Sequence, residues 1–263
     1  MMQTLTLDVG GTNGLFELRH EGHTEQYKFP TGDGFSIRDL NEQIQAFEQD
    51  FALEHYRLAM AVPGLVRDNR LVTCKSLPGL TGLHPAQIQC SGELAFIAND
   101  MDAGIQAIAE PRHDCEVLVM CGAGLGMAIA MNGQVFSGAS GFAGELGHCR
   151  IMTEGGEFSL EQLASAEALR GRKQVVGDDL AQAGRHLGMG LAWVVNLFNP
   201  NRIYLAGSMM HSADFYKGCI GALRDMALGA PMANCQVHRV DDMETLVCRG
   251  LASMLEKQQS AAE

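Results

Sequence analysis

Residues 117–150 read VLVMCGAGLGMAIAMNGQVFSGASGFAGELGHCR, and the order within them decides the fold. Residues 117–120 are a short apolar run of strand type, residues 122–126 (Gly-Ala-Gly-Leu-Gly) are a flexible turn, and residues 127–131 resume an apolar strand. Asn132-Gly133 is the dipeptide best suited to a two-residue hairpin, so the stretch predicts strand, glycine turn, strand, hairpin, strand. After Glu116 no charged side chain occurs until Glu145, where the run ends in Glu-Leu-Gly-His148. Backbone N–H groups in a glycine turn can approach a phosphate closely and form an anion site without a charged side chain. A tight turn with no ligand role is the competing reading of the same glycines.

A second glycine turn lies in residues 5–18, LTLDVGGTNGLFEL, again strand, turn, strand. It puts Asp8 just before the turn and Gly10, Gly11 and Thr12 inside it. An Asp beside a phosphate cradle suits Mg2+ held through water, because Mg2+ keeps much of its hydration and takes one or two carboxylates. Two such hairpins suggest two lobes that clamp one nucleotide.

In this ordered pair of turns the chain resembles the sugar kinases of the ROK family (repressor, open reading frame, kinase), within the group that shares the actin, hexokinase and Hsp70 ATPase fold. The resemblance implies an α/β protein with a two-lobed, actin-like ATPase (ribonuclease H-like) fold, a mixed sheet in each lobe and an interlobe cleft. Residues 1–112 would form the N-terminal lobe, completed by a C-terminal helix at about 245–263, and residues 113–244 the larger C-terminal lobe.

Composition bounds the function. Among 263 residues, 46% are hydrophobic and 19% charged, which describes an ordinary globular protein and not a disordered one. A formal charge of −12, from 31 acidic and 19 basic residues, argues against nonspecific nucleic-acid binding and adhesion to anionic lipid. The eight cysteines are scattered with no CxxC pair, Met1-Met2-Gln3 lacks a basic leader, and Asp8 interrupts the first apolar run. Reduced thiols and a cytoplasmic protein are therefore expected. Glycines, Asn132 and Gln134 within the uncharged run exclude a membrane-spanning reading.

Elsewhere, residues 37–51 have helical periodicity with Leu40, Ile44, Phe47 and Phe51 on one face, and residues 58–62 form a strand closed by Pro63-Gly64. Strand, helix, strand predicts parallel pairing. Residues 93–98 form a strand that meets Asn99-Asp100 before a helix at about 101–110. An Asp at that junction either caps the helix or serves chemistry; Asp102 reads as a solvated or first-turn charge. A long helix covers 178–198, Asn199-Pro200 ends it, and a strand at 202–206 leads into Gly207-Ser208. Residues 221–227 and 245–256 are further helices, and no internal repeat is visible.

The resemblance assigns roles residue by residue. It makes Asp100 the catalytic base and places Asn99, Glu145, His148 and Glu161 around a sugar, with Ser76 where the family usually carries Asn. Gly122, Ala123 and Gly124 would join Gly10, Gly11 and Thr12 on the phosphates of ATP, Asp8 would hold Mg2+ through water, and Gly207 and Ser208 would lie against the adenosine. Ala123 stands where the family usually has Thr; losing that donor would cost about 2 kcal/mol in the transition state. Glu145 and His148, three apart, equally suit an ion pair on one turn of helix. Met152, Glu154 and Ser159 stand at the three cysteine positions of the family's zinc cluster, so no structural zinc is expected. The link between Ser165 and Asp178 is shorter than is usual in the family.

The implied reaction is transfer of phosphate from Mg-ATP to a hexose or N-acetylhexosamine. The alternative is a sugar-binding sensor with weak or no catalysis, favoured by Ala123 and Ser76. Family repressors carry a DNA-binding domain ahead of the first glycine turn, and seven residues precede Asp8 here, so DNA binding is not expected. Homodimers are common in the family, and the sequence locates no interface.

Overall fold

The computed structural model describes residues 3–20, 22–170 and 175–262; residues 171–174 of the link between Ser165 and Asp178, with 1–2, 21 and 263, lie outside these. The chain divides into two compact units: Met1–Ile108 with Gly138–Phe142 and Glu244–Glu263, and Ala109–Ser137 with Ala143–Met243.

In the first unit, β1 (Gln3–Val9), β2 (Asn13–His20) and β3 (His23–Pro30) form consecutive hairpins. They are followed by α1 (Ile37–Asp50), β4 (Tyr56–Val62), the small hairpin β5 (Leu65–Arg67) and β6 (Arg70–Thr73), then β7 (Glu93–Asn99) and α2 (Asp100–Gln106). The sheet order is β3-β2-β1-β4-β7, with β1, β4 and β7 parallel. Alternation along β1 sends Leu5, Leu7 and Val9 into one core with Leu40, Ile44 and Phe47 of α1. Each fully buried Leu or Phe of this kind contributes roughly 2 kcal/mol. Ser36 opens α1 with a reciprocal cap: its hydroxyl accepts from the Asp39 N–H and the Asp39 carboxylate accepts from the Ser36 N–H. Phe51 departs from the expected apolar face. It lies beyond the last turn, 37% exposed, with its ring stacked on Phe47 at 4.4 Å.

The second unit starts with β8 (Cys115–Cys121), β9 (Leu125–Met131) and β10 (Gln134–Val135). Asn132 at φ 51° and Gly133 at φ 72° make the expected hairpin turn, since both central residues adopt the left-handed backbone that Asn and Gly tolerate. There follow β11 (Arg150–Thr153), β12 (Gly156–Ser159), the short helices α3 (Leu160–Ala164) and α4 (Ala166–Leu169), α5 (Gly177–Phe198), β13 (Arg202–Ala206), α6 (Ala213–Met226), α7 (Gly229–Asn234) and β14 (Gln236–Arg239). The chain then returns to the first unit as α8 (Leu246–Ala262), where Val247, Leu251 and Leu255 pack with Ala59, Ala61, Phe96 and Ala98 on the sheet face opposite α1.

The second sheet runs β10-β9-β8-β13-β14, with β8, β13 and β14 parallel. Both sheets therefore share one wiring: two successive hairpins, then two parallel strands added beside the first strand. This is a structural repeat where the sequence has none. Against its sheet, α5 meets α6 almost backbone to backbone; a Cβ at Gly188 or Gly218 would collide with Cys219 O or Ala181 O. Buried Glu116 ties the start of β8 to β13, because its carboxylate accepts from Glu110 N–H (2.6 Å) and Tyr204 O–H (2.9 Å) and pairs with His113 (2.9 Å).

Candidate active site

The first unit gathers its candidate residues where β1, β4 and β7 end. Asp8 lies one residue from the end of β1, level with Ala61 of the neighbouring strand, and Asp100 follows β7 directly. Ligands of open α/β sheets bind at this carboxyl edge of parallel strands. The Asp8 carboxyl is pushed up to about 7, by burial first and then by the charge of Asp100. The two carboxylates are therefore electrostatic neighbours.

Asn99 explains how Asp100 comes to be presented. Its Oδ1 accepts from Met101 N–H (2.8 Å) and Asp102 N–H (3.1 Å), capping α2, while its Nδ2 donates to Gly64 O at 2.8 Å. The cap that the sequence offered as an alternative duty for Asp100 is thus carried by Asn99. Asp100 becomes the first residue of the helix, with one oxygen on the Met101 N–H at 2.9 Å. The helix itself ends at Gln106, four residues short of the expected stop. Asp102 does occupy the first turn, but it is partly buried and its carboxyl rises to about 6 through burial and then Asp100.

The glycine turn between β1 and β2 is closed by Gly10 N–H donating to Asn13 O at 3.0 Å, and Thr31 braces it from β3's end through Gly10 O and Thr12 O. Gly11 and Thr12 are exposed at its tip. Ser76 sits beside it: a Cβ at Gly11 would lie 3.3 Å from Ser76 Cβ. Asp8, Gly10, Gly11, Thr12, Ser76, Asn99 and Asp100 therefore belong to one edge of one unit.

Among the described residues no three His, Cys, Asp or Glu side chains converge as a ligand set. A single carboxylate such as Asp8 would hold a cation that keeps much of its own water, as Mg2+ does. The raised Asp8 carboxyl also fits, since a nearby cation would relieve the charge that Asp8 and Asp100 share.

Raised from 3.8 to about 7, Asp8 holds its proton longer folded than unfolded, so its ionisation costs stability. That cost is absent below about pH 4, grows through the interval, and is complete above about pH 7. Asp8 keeps some contact with solvent, so Asp8→Asn should stabilise the cation-free protein at pH 8 by about 2 kcal/mol and by almost nothing at pH 4. Urea titrations at the two pH values measure the difference, and an equal effect at both would contradict the assigned burial.

The second unit assembles its own set. In the turn between β8 and β9, Gly122 N–H donates to Gly124 O at 2.9 Å, leaving Ala123 and Gly124 exposed at the tip. Leu125 N–H donates to Glu161 Oε2 at 3.0 Å, which brings Glu161 onto this turn. Gly207 and Ser208 lie beside this turn, and a Cβ at Gly122 would be 3.6 Å from Ser208 Oγ. Glu145 precedes and His148 ends a 3-10 turn, not a turn of α-helix, and their side chains meet as the spacing allowed, Nδ1 to Oε2 at 2.9 Å, with both exposed. That turn packs against β9 and α3, where a Cβ at Gly147 would meet Leu125 O. Ser159, at one of the positions compared with zinc cysteines, caps α3.

The sequence reading missed Ser165, 1% exposed, which ends α3 and caps α4. From this junction Ala166 N–H donates to Gly122 O (2.8 Å) and Glu167 N–H to Ala123 O (3.4 Å). The paired capping serines 159 and 165 were the available signal, and only the fold reveals what they hold.

With two units of one wiring, each bearing a glycine turn at its sheet edge, the class is an actin-like α/β protein, and comparison supplies the family. The model of the ROK family matches residues 4–257, and the chain belongs to that family. It is 33% identical over 158 residues to the DNA-binding transcriptional dual regulator NagC of Escherichia coli (strain K12), covering 43% of this chain and 38% of that one. It is 26% identical over 195 residues to N-acetylmannosamine kinase of Salmonella arizonae, covering 68% of this chain and 66% of the relative. The chain thus spans less than two thirds of the length of either. A ROK family glucokinase from Streptomyces griseus, solved with glucose and AMPPNP, superimposes with a TM-score of 0.75 at 18% identity over 96% of this chain and 98% of that one, which establishes the fold.

Proposed function

We propose that this protein is an ATP-dependent kinase acting on a hydroxyl of a hexose or N-acetylhexosamine, with Mg-ATP held by the two glycine turns. The observation that carries the reading is the pair Asp8 and Asp100, electrically coupled at one strand edge, with the capping duty that would explain Asp100 away assigned to Asn99. Asp100 accepts the proton of the sugar hydroxyl as its oxygen attacks the γ-phosphorus and the bond to ADP breaks. Mg2+, anchored through water by Asp8, would neutralise charge on the phosphate oxygens. The N–H groups of Ala123 and Gly124 and the turn of Gly10, Gly11 and Thr12 cradle the phosphates, while Gly207 and Ser208 receive the adenosine. Ser76, Asn99, Glu145, His148 and Glu161 bind the sugar; the amide of Asn99 keeps one N–H beyond its structural bonds for that purpose.

Support comes from the kinase among the relatives and from the glucose and AMPPNP held by the S. griseus enzyme. No helix among the described residues is long and apolar enough to cross a membrane, and small-molecule substrates in the cytoplasm complete the reading. A sugar sensor is the second reading, favoured by Ala123, Ser76 and the regulator among the relatives. An ADP-release screen with Mg-ATP over hexoses and amino sugars separates the two. ADP formed with at least one sugar is expected. A sugar that raises the melting temperature while no member of the panel yields ADP would decide for the sensor.

A further inference from the structure

The second glycine turn is gripped at Gly122, Ala123 and Leu125 by the same two short helices. Cys121 Sγ lies 3.4 Å from Ala164 O, Gly122 O and Ala123 O accept from the first N–H groups of α4, and Leu125 N–H is taken by Glu161. Gly124 closes the set by omission, since a Cβ there would lie 2.9 Å from Glu161 Oε2. Ser165, buried at the joint, caps α4 and donates its own N–H to Glu161 O, so the two helices form one piece. Because Gly122 N–H is spent on Gly124 O and Leu125 N–H on Glu161, Ala123 and Gly124 are left to present theirs at the exposed tip.

We infer that Glu161 is a positioning residue for the nucleotide: its carboxylate, at the front of the α3–α4 clasp, holds the Gly122–Leu125 turn in the shape that offers its amides to phosphate. This rests on the kinase reading and deepens it. A carboxylate assigned to the sugar then also shapes the phosphate turn, which links the two subsites within one unit. A hydrogen bond from an amide to a carboxylate is among the stronger ones in proteins, so its loss should be measurable. Gln keeps an oxygen for the Leu125 N–H, whereas Ala keeps none.

The test uses the full chain without sugar. Titration with Mg-AMPPNP should give E161A a Kd about tenfold weaker than wild type, with E161Q within about threefold of wild type. G124A, whose new methyl displaces the Glu161 carboxylate, should weaken binding similarly, and the double variant G124A/E161A should lose little more than either alone. Hydrogen exchange at the Leu125 amide in the ligand-free protein should accelerate about tenfold or more in E161A and stay near wild type in E161Q, while β8 and β13 remain protected. A wild type that binds AMPPNP with an E161A that binds it equally well overturns the inference alone, as does unchanged exchange at Leu125. A wild type that binds no AMPPNP overturns the kinase reading itself.

Discussion

Asp100→Asn should lower kcat by roughly 10²- to 10⁴-fold while leaving sugar affinity within a few-fold of wild type. The amide matches the carboxylate in shape but cannot accept the hydroxyl proton. The helix it begins should survive, because Asn99 supplies the cap through Met101 N–H and Asp102 N–H and is itself pinned to Gly64 O. The substitution also removes the charge that helps hold the Asp8 carboxyl near 7, so Asp8 should ionise more readily and anchor its cation at least as well. Steady-state rates with calorimetric sugar binding make the measurement. A loss carried instead by Asp102→Asn would move the base to the partly buried carboxyl two residues along α2, and an undiminished rate in Asp100→Asn would remove the assignment outright.

Gly207→Ala should cost the second unit at least about 3 kcal/mol. Gly207 has φ 99° and ψ 163°, a region essentially reserved for glycine, and it leads from β13 toward the second glycine turn. A Cβ there would meet the carbonyl oxygen and carbon and the amide nitrogen of Cys121, all backbone atoms of a central strand that cannot swing aside. Gly122→Ala is the control. Gly122 has no positive φ, and its Cβ would make only an ordinary contact with Ser208 Oγ at 3.6 Å. Chemical denaturation should therefore separate the two alanines by more than 2 kcal/mol. If Gly207→Ala were nearly as stable as Gly122→Ala, the close approach of β13's end to Cys121 would be wrong.

The two glycine turns, the strands around them and the Asn132-Gly133 hairpin were legible because apolar runs and turn chemistry are local signals. The strand β3 was not, since an edge strand exposed at every residue but Phe29 carries no apolar alternation. Helix α6 starts at Ala213, eight residues before its sequence-based start at Gly221, and Gly218 within it is what lets α6 approach Ala181 of α5. The shared wiring of the two sheets is equally silent, because sequence records which residues form a strand and not which strand lies beside it.

The candidate site divides in the same way. Asp8, Asp100 and the glycines could be named from motif order, but their arrangement depends on contacts distant in sequence, such as Asn99 to Gly64 and Glu161 to Leu125. Glu145 and His148 illustrate the converse. Spacing alone offered a pairing, and the two side chains do meet, although on a 3-10 turn that exposes both.

The proposed transfer of a phosphoryl group to a sugar can be followed atom by atom by phosphorus-31 NMR. The protein would be incubated with Mg-ATP and a mixture of hexoses and N-acetylhexosamines. A new sugar monophosphate resonance growing in step with ADP, and absent with Asp100→Asn, is the expected spectrum. ATP left intact beside every sugar, or ADP accompanied by inorganic phosphate alone, would contradict it.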